Sequence, residues 1–259
     1  MKCQRSFVTA NQSGFTLLEL LLVLAILGLI TGAVFSQMGV AQQRMSAESV
    51  KLDDFQEARD FVDQFFRDIN EIGYPNTRMA DTSSALWSPV LTTQNTKLWA
   101  SPYINDNRFA MGLVKIDVNT IQFEADTNGD GNVQSVIYII NGSGTCALCL
   151  QRSQVSKVSG DPILGQTPNW GTEVNDVISN PIFKFFQADG TQVTVLPVDY
   201  TTQAGAQTLA NIKTIQISLT IRNNKVIDQR TGLAIETNLA GEVSLNNCSM
   251  AAIGQPMSC

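Results

Sequence analysis

The 259-residue chain contains no histidine. That removes the commonest general base and the commonest metal ligand. It also lacks a nucleophile elbow, a phosphate-binding glycine loop and an H-E-x-x-H zinc motif. An Asp pair can in principle serve as acid and base, but nothing in the sequence supports one, so a protein that is not an enzyme is expected. No internal repeat and no low-complexity block long enough to act as a linker is present. Charge is missing where it matters most: no charged side chain stands between Leu20 and Phe35. Nor does an acid occur in the first 14 residues, which carry Lys2 and Arg5.

Against these absences, Gly14-Phe15-Thr16-Leu17-Leu18-Glu19 is conspicuous. A basic leader ends in glycine, an aromatic residue follows, and a long apolar run begins with one acid inside it. A carboxylate near a bilayer core costs roughly 2.5–3.5 kcal/mol on insertion scales. Glu19 therefore needs a partner, and the simplest is a free amine made by cutting the chain after Gly14. An ordinary secretory signal has a shorter apolar region followed by a small-x-small cleavage site, and neither holds here. A plain membrane anchor leaves the acid unexplained.

The segment resembles the class III signal of type IV prepilins and pseudopilins, written G-F-T-L-x-E. The resemblance implies cleavage between Gly14 and Phe15 by a prepilin peptidase, N-methylation of Phe15, and neutralisation by Glu19 of a neighbouring subunit's amine during assembly. The basic leader holds the first residues in the cytoplasm and directs the rest outward. Its loss takes two of 17 basic residues, leaving 15 against 23 acidic ones, a balance of −8 before the new amine is counted. Such a surface disfavours polyphosphate partners, whose affinity comes largely from Lys and Arg, and no nucleic acid is expected.

After the apolar run, nothing breaks a helix between Gly39 and Ser49. Phe55, Ala58, Val62, Phe65, Ile69 and Ile72 then recur at steps of three and four, the seam of a helix lying on a core. Gly73 and Pro75 form a stop. Beyond them the sequence reads as strands. In Ile212 to Arg222 the residues Ile215, Ile217, Leu219 and Ile221 alternate with polar ones, and Asn223-Asn224 offers a turn. Asn119 to Glu124 and Val133 to Ile140 flank a turn at Asp126 to Asn132. Ile182 to Gln187 and Thr191 to Leu196 flank Asp189-Gly190, a hairpin signal. Ala80 to Asp106 and Gln151 to Asn180 read as long surface loops, with room in one of them for short strands. Strands that follow one long helix point to an α+β fold, a pilin-like helix packed on an antiparallel sheet head. The expected organisation is a cleaved leader over 1–14, a transmembrane and filament-core helix over 15–38, its amphipathic continuation over 39–73, and a β-rich head over 74–259.

Phe55 to Pro75, the run from Ile121 to Tyr138, and the strand Ile212 to Arg222 resemble PilW-type minor pilins, with the J-type pseudopilins of type II secretion as relatives. The resemblance implies a minor subunit that starts assembly of a pilus-like filament and lies at or near its tip. Its implied partners are other minor and major pilins, prepilin peptidase and an inner-membrane assembly platform. The implied location is the bacterial inner membrane with a periplasmic head, then a cell-surface pilus or periplasmic pseudopilus. A head of this size is hard to repeat at every filament step, which favours a minor subunit. Ala25, Gly28 and Gly32 give a small-residue face that permits close helix approach.

Three local features carry alternatives. Asp126, Asn128, Asp130 and Asn132 stand at positions 1, 3, 5 and 7 of an EF-hand-like loop with Gly131 at 6. Position 12 is Ile137, where a bidentate Glu belongs, so the loop is either a weak calcium site or an ion-free turn. No other cofactor is expected. Of five cysteines, Cys3 lies in the leader. The remaining four, Cys146, Cys149, Cys248 and Cys259, suggest disulfides in an oxidising compartment. The favoured pairing is Cys248 with Cys259 and Cys146 with Cys149; a four-thiolate zinc site is the other reading. Trp87, Trp99, Tyr103 and Trp170 fall in loop-like regions and offer contacts for a tip adhesin, or cap the edge of a core.

Overall fold

The computed structural model describes residues 14, 16–75, 107, 109–141, 148–158, 163, 165–228 and 231–245. The chain divides into two compact units, Met1–Glu48 and Ser49–Cys259. One helix, α1 (Leu17–Asn70), contributes to both. In the first unit every residue from Leu17 to Gly39 is exposed, so this stretch buries nothing of its own.

In the second unit, α1 presents a buried face formed by Ala58, Phe61, Val62, Phe65, Asp68 and Ile69. Ile72 in the following turn is also buried. The expected seam is present from Ala58 onward, whereas Phe55 is 41 % exposed and lies outside it. After Asn70 the chain tightens: the Glu71 and Ile72 amides donate to the carbonyls of Asp68 and Ile69. Gly73 then takes a left-handed conformation (φ 77°) and its N–H donates to the Glu124 carbonyl. Glycine accepts that conformation without a Cβ clash. The end of the helix is thus tied directly to a strand.

Ten further elements follow, in the order β1 (Gly112–Asp117), β2 (Thr120–Ala125), β3 (Gln134–Asn141), β4 (Cys149–Ser156), β5 (Trp170–Val174), β6 (Phe183–Gln187), β7 (Val198–Asp199), α2 (Gln203–Asn211), β8 (Ile212–Asp228) and β9 (Leu233–Ser244). All strand pairs are antiparallel. One sheet has the order β5-β4-β3-β2-β1-β7 and the other β6-β8-β9. β1 to β5 form a meander. The chain then starts the second sheet with β6, returns for the short β7 beside β1, and completes the second sheet with the β8–β9 hairpin. The fold is α+β: a long apolar-to-amphipathic N-terminal helix with an antiparallel sheet head, in a pilin-like arrangement.

Phe65 is the junction of the core. Its ring stacks on Phe183 of β6 (centroids 5.5 Å apart) and meets the edge of Tyr138 of β3 at 5.3 Å. One helical side chain therefore touches both sheets. Phe61 adds an edge contact to Tyr138 at 5.7 Å. Such offset and edge-to-face pairs add to ordinary area burial.

Several sequence expectations change. Gln151 to Asn180 contains most of β4 and all of β5 rather than one loop. In β4 the residues alternate polar types, yet Ser153 is buried and Arg152 is drawn inward by an acid on α1. The Asp189-Gly190 turn forms, with the Gly190 N–H donating to the Gln187 carbonyl, but only a single bridge, Phe186 to Gln192, continues it. Asn223-Asn224 lies inside β8, where the register against β9 shifts between Asn223 and Ile227. α2 follows a Thr202 cap whose hydroxyl accepts from the Gly205 N–H at 3.0 Å. A Cβ at Gly205 would overlap the Asp199 carbonyl, which is why glycine stands there. Ala80 to Asp106 lies entirely outside the described residues.

Candidate functional site

The start of α1 combines a cap, an acid and a bare apolar surface. Thr16 is the cap. Its carbonyl accepts from the Glu19 and Leu20 amides at 3.1 and 3.2 Å, and its hydroxyl accepts from the Glu19 N–H at 3.3 Å. A threonine three residues before a glutamate is the sequence pattern of a capping box, a signal that the composition-based reading missed. The acid sits in the first turn, where it complements the positive end of the helix dipole. Its carboxylate has no partner among the described residues. Gly14 is exposed, and a Cβ built there meets nothing within 4 Å. Phe15 lies outside the described residues.

Around Glu19 the surface is almost wholly apolar. Leu17, Leu18, Leu20, Leu21, Leu22, Val23 and Leu24 all expose more than half of their area. The helix contains a window long and apolar enough to cross a membrane, and none of that window is buried. A stripe on one face would suit a groove in a soluble partner, whereas apolar exposure on all sides requires lipid or a bundle of similar helices.

In the second unit, two buried charged groups hold the head together. Asp68 of α1 is 1 % exposed. Its Oδ2 accepts from the Tyr138 hydroxyl at 2.6 Å and from Arg152 Nε and Nη2 at 2.8 and 2.7 Å. Its Oδ1 accepts from Gln64 Nε2 at 2.6 Å. Both carboxylate oxygens are satisfied, and three elements, α1, β3 and β4, meet at one carboxylate. Burial, and after it the adjacent Asp68 charge, pushes the Tyr138 hydroxyl pKa well above its usual value. Tyr138 therefore stays a neutral donor. Glu173 of β5 is likewise pushed up, first by burial, with the Arg152 cation opposing.

The second group lies around β2. Lys157 Nζ donates to Glu124 Oε2 at 2.8 Å and to the Phe109 carbonyl at 2.9 Å. The Met111 N–H donates to the same Glu124 oxygen at 3.0 Å. Both side chains are essentially fully buried. Both networks tie separate segments of the head together. The sequence carried a faint signal for the first one: Asp68 falls three residues after Phe65, inside the helix seam.

The β2–β3 loop is folded around its own oxygens. Asp126 Oδ1 and Oδ2 accept from the Gly129 and Gly131 amides, each at 2.8 Å. Asn128 Oδ1 accepts from the Asp130 N–H at 3.2 Å, and Asp130 Oδ1 from the Asn132 N–H at 2.8 Å. The Asn132 amide, then the Asn128 side chain, lowers the Asp130 carboxyl pKa below its usual value. Among the described residues no group of three or more His, Cys, Asp or Glu side chains is placed to hold a metal ion. Cys149 opens β4 and is disulfide-bonded. Cys146, Cys248 and Cys259 lie outside the described residues, as do Trp87, Trp99 and Tyr103. Trp170 opens the edge strand β5 and is 42 % exposed.

Residues 9–35 match the family model of the prokaryotic N-terminal methylation motif. No curated protein matches the chain. The matched segment contains Gly14, Phe15 and Glu19 together with the start of the bare helix. It supports a type IV pilin-like prepilin and, with the apolar helix, is consistent with membrane anchoring.

Proposed function

We propose that this chain is a minor pilin of a type IV pilus-like filament, which initiates assembly and lies at or near the tip. The observation that carries the reading is the methylation motif over residues 9–35, which runs into a helix whose residues from Leu17 to Gly39 are all exposed. In this reading, prepilin peptidase cuts between Gly14 and Phe15 and the new Phe15 amine is methylated. The helix waits in the inner membrane with the head in the periplasm. Extraction by an inner-membrane platform then exchanges lipid contacts for contacts with other pilin helices.

Glu19 is the one carboxylate on that apolar surface, and it would meet the amine of a neighbouring subunit. A helix bundle excludes water, so each unpaired charge costs several kcal/mol and correct axial register is rewarded. The head carries no catalytic constellation that the described residues reveal, and its buried charges serve packing. In this reading the protein acts by assembly rather than by chemistry and needs no cofactor. The tie from Gly73 to β2 and the Asp68 network anchor the C-terminal end of α1 in the head.

Gene deletion with complementation tests the proposal. Loss of surface filaments, restored by the intact gene, is the expected result. Normal filaments with poor attachment would instead make the head an adhesin, with the exposed Trp170 as a contact. Normal filaments with blocked protein export would assign the chain to a secretion pseudopilus.

A further inference from the structure

The side chain at position 9 of the β2–β3 loop is Gln134, and it is 4 % exposed. Its amide nitrogen donates to Asn132 O at 2.6 Å and to Asn128 Oδ1 at 2.9 Å, and it lies 3.5 Å from Asp130 Oδ1. Those oxygens occupy positions 7, 3 and 5, the ones that in a calcium loop converge on the ion. On its other side the Gln134 amide oxygen accepts from the Thr127 N–H at 2.9 Å and from the Thr127 hydroxyl at 3.3 Å. The orientation of the amide is therefore determined by its neighbours. Turned by half a rotation, its oxygen would face three acceptors and its NH2 would face the Thr127 N–H, leaving a buried group mismatched at both ends.

We propose that the Gln134 amide nitrogen holds the place of a cation in this loop, so that the β2–β3 turn closes on the protein's own side chain and needs no calcium. The fit is chemical as well as spatial. A hard divalent ion and an NH2 group both satisfy converging oxygen atoms, but the amide brings no net charge and is tethered. Two carboxylates, Asp126 and Asp130, suffice because each is already stabilised by backbone N–H donors. The missing acid at position 12 follows from the same logic: with no ion in the loop, no bidentate ligand is required. A carboxylate at position 134 would reverse the situation. It would place a third carboxylate among the oxygens of Asn128, Asp130 and Asn132, an arrangement that a divalent cation relieves.

The test uses the full mature protein in detergent and follows thermal unfolding in EDTA and in about 5 mM CaCl2, above the weak end of extracellular calcium loops. For the wild type the midpoint is expected to be the same in both within about 1 °C, and calorimetric titration with CaCl2 should show no binding heat. For Gln134→Glu the midpoint should fall in EDTA and recover by about 3–6 °C in CaCl2. A wild-type midpoint that rises by several degrees with calcium overturns the proposal, as does a folded Gln134→Glu protein indifferent to it. If Gln134→Glu does not fold in either buffer, the wild-type titration decides: binding heat refutes the proposal and its absence upholds it.

Discussion

Replacing Asp68 with alanine is expected to destabilise the head by about 3–5 kcal/mol, the cost of breaking a buried ion pair from one side. The reason is what the substitution leaves behind. The Arg152 side chain is 14 % exposed and directs Nε and Nη2 at the Asp68 carboxylate. The Tyr138 hydroxyl is buried beside it and donates to the same oxygen. Alanine would leave the buried Tyr138 hydroxyl and the largely buried Arg152 guanidinium without the carboxylate that pairs them. Arg152 Nε also lies 3.0 Å from the Tyr138 oxygen, a contact that cannot substitute for the carboxylate. For a head of this size the loss corresponds to a fall of roughly 6–20 °C in the unfolding midpoint, at about 2–4 °C per kcal/mol. Circular dichroism melts of the purified mature protein in detergent would measure it. The double variant Asp68→Leu with Arg152→Met should melt above Asp68→Ala, because an apolar pair leaves no orphaned charge. A midpoint for Asp68→Ala within about 2 °C of wild type would mean that the network is not the tie between α1 and the β3–β4 pair.

Glu19→Ala is expected to leave processing intact and to reduce incorporation into filaments by about ten- to a hundredfold, since a hydrogen bond to a charged group contributes about 1.5–3 kcal/mol and 1.4 kcal/mol is a factor of ten. Processing should survive because the cut lies between Gly14 and Phe15, while Glu19 sits four residues further on, in the first turn of α1. The fold should survive because Glu19 is exposed and its carboxylate touches no described residue. What is lost is the partner for a neighbour's amine in a water-free bundle. Glu19→Gln keeps the size and hydrogen-bonding capacity without the charge and should fall between the two. The readout is the ratio of filament-associated to membrane-associated protein on immunoblots. Wild-type incorporation by Glu19→Ala would remove the acid from the assembly contact.

The N-terminal half of the account was legible in the sequence because its signals are local. A glycine-aromatic junction, a charge-free run and a lone acid need no knowledge of tertiary structure. The β2–β3 pair was legible from the turn between its strands, and the buried face of α1 and the alternation of β8 from a periodicity that matches what the fold buries. The misses share one cause: burial decided by a distant partner. Asp68 stands between the apolar residues of the seam, but what pairs it could not be read, because its partners Tyr138 and Arg152 lie 70 and 84 residues away. β4 looked like a loop because Arg152 and Ser153 are polar, yet one is paired with α1 and the other is buried. α2 is too short to show a clear pattern and depends on the Thr202 cap and the Gly205 approach to Asp199. Gln134 drew no notice as a possible stand-in for an ion, since only the geometry shows three oxygens turned towards its amide.

The central claim is that this chain is a processed, membrane-inserted pilin-like subunit, and everything proposed about assembly depends on its N-terminus. Mass spectrometry of the N-terminal peptide, taken from protein isolated from its native membranes, tests that most directly. The account predicts a chain that begins at Phe15 and carries one methyl group on its α-amine. A chain that still begins at Met1, or one cut beyond Phe35 so that the apolar helix is lost, would contradict it.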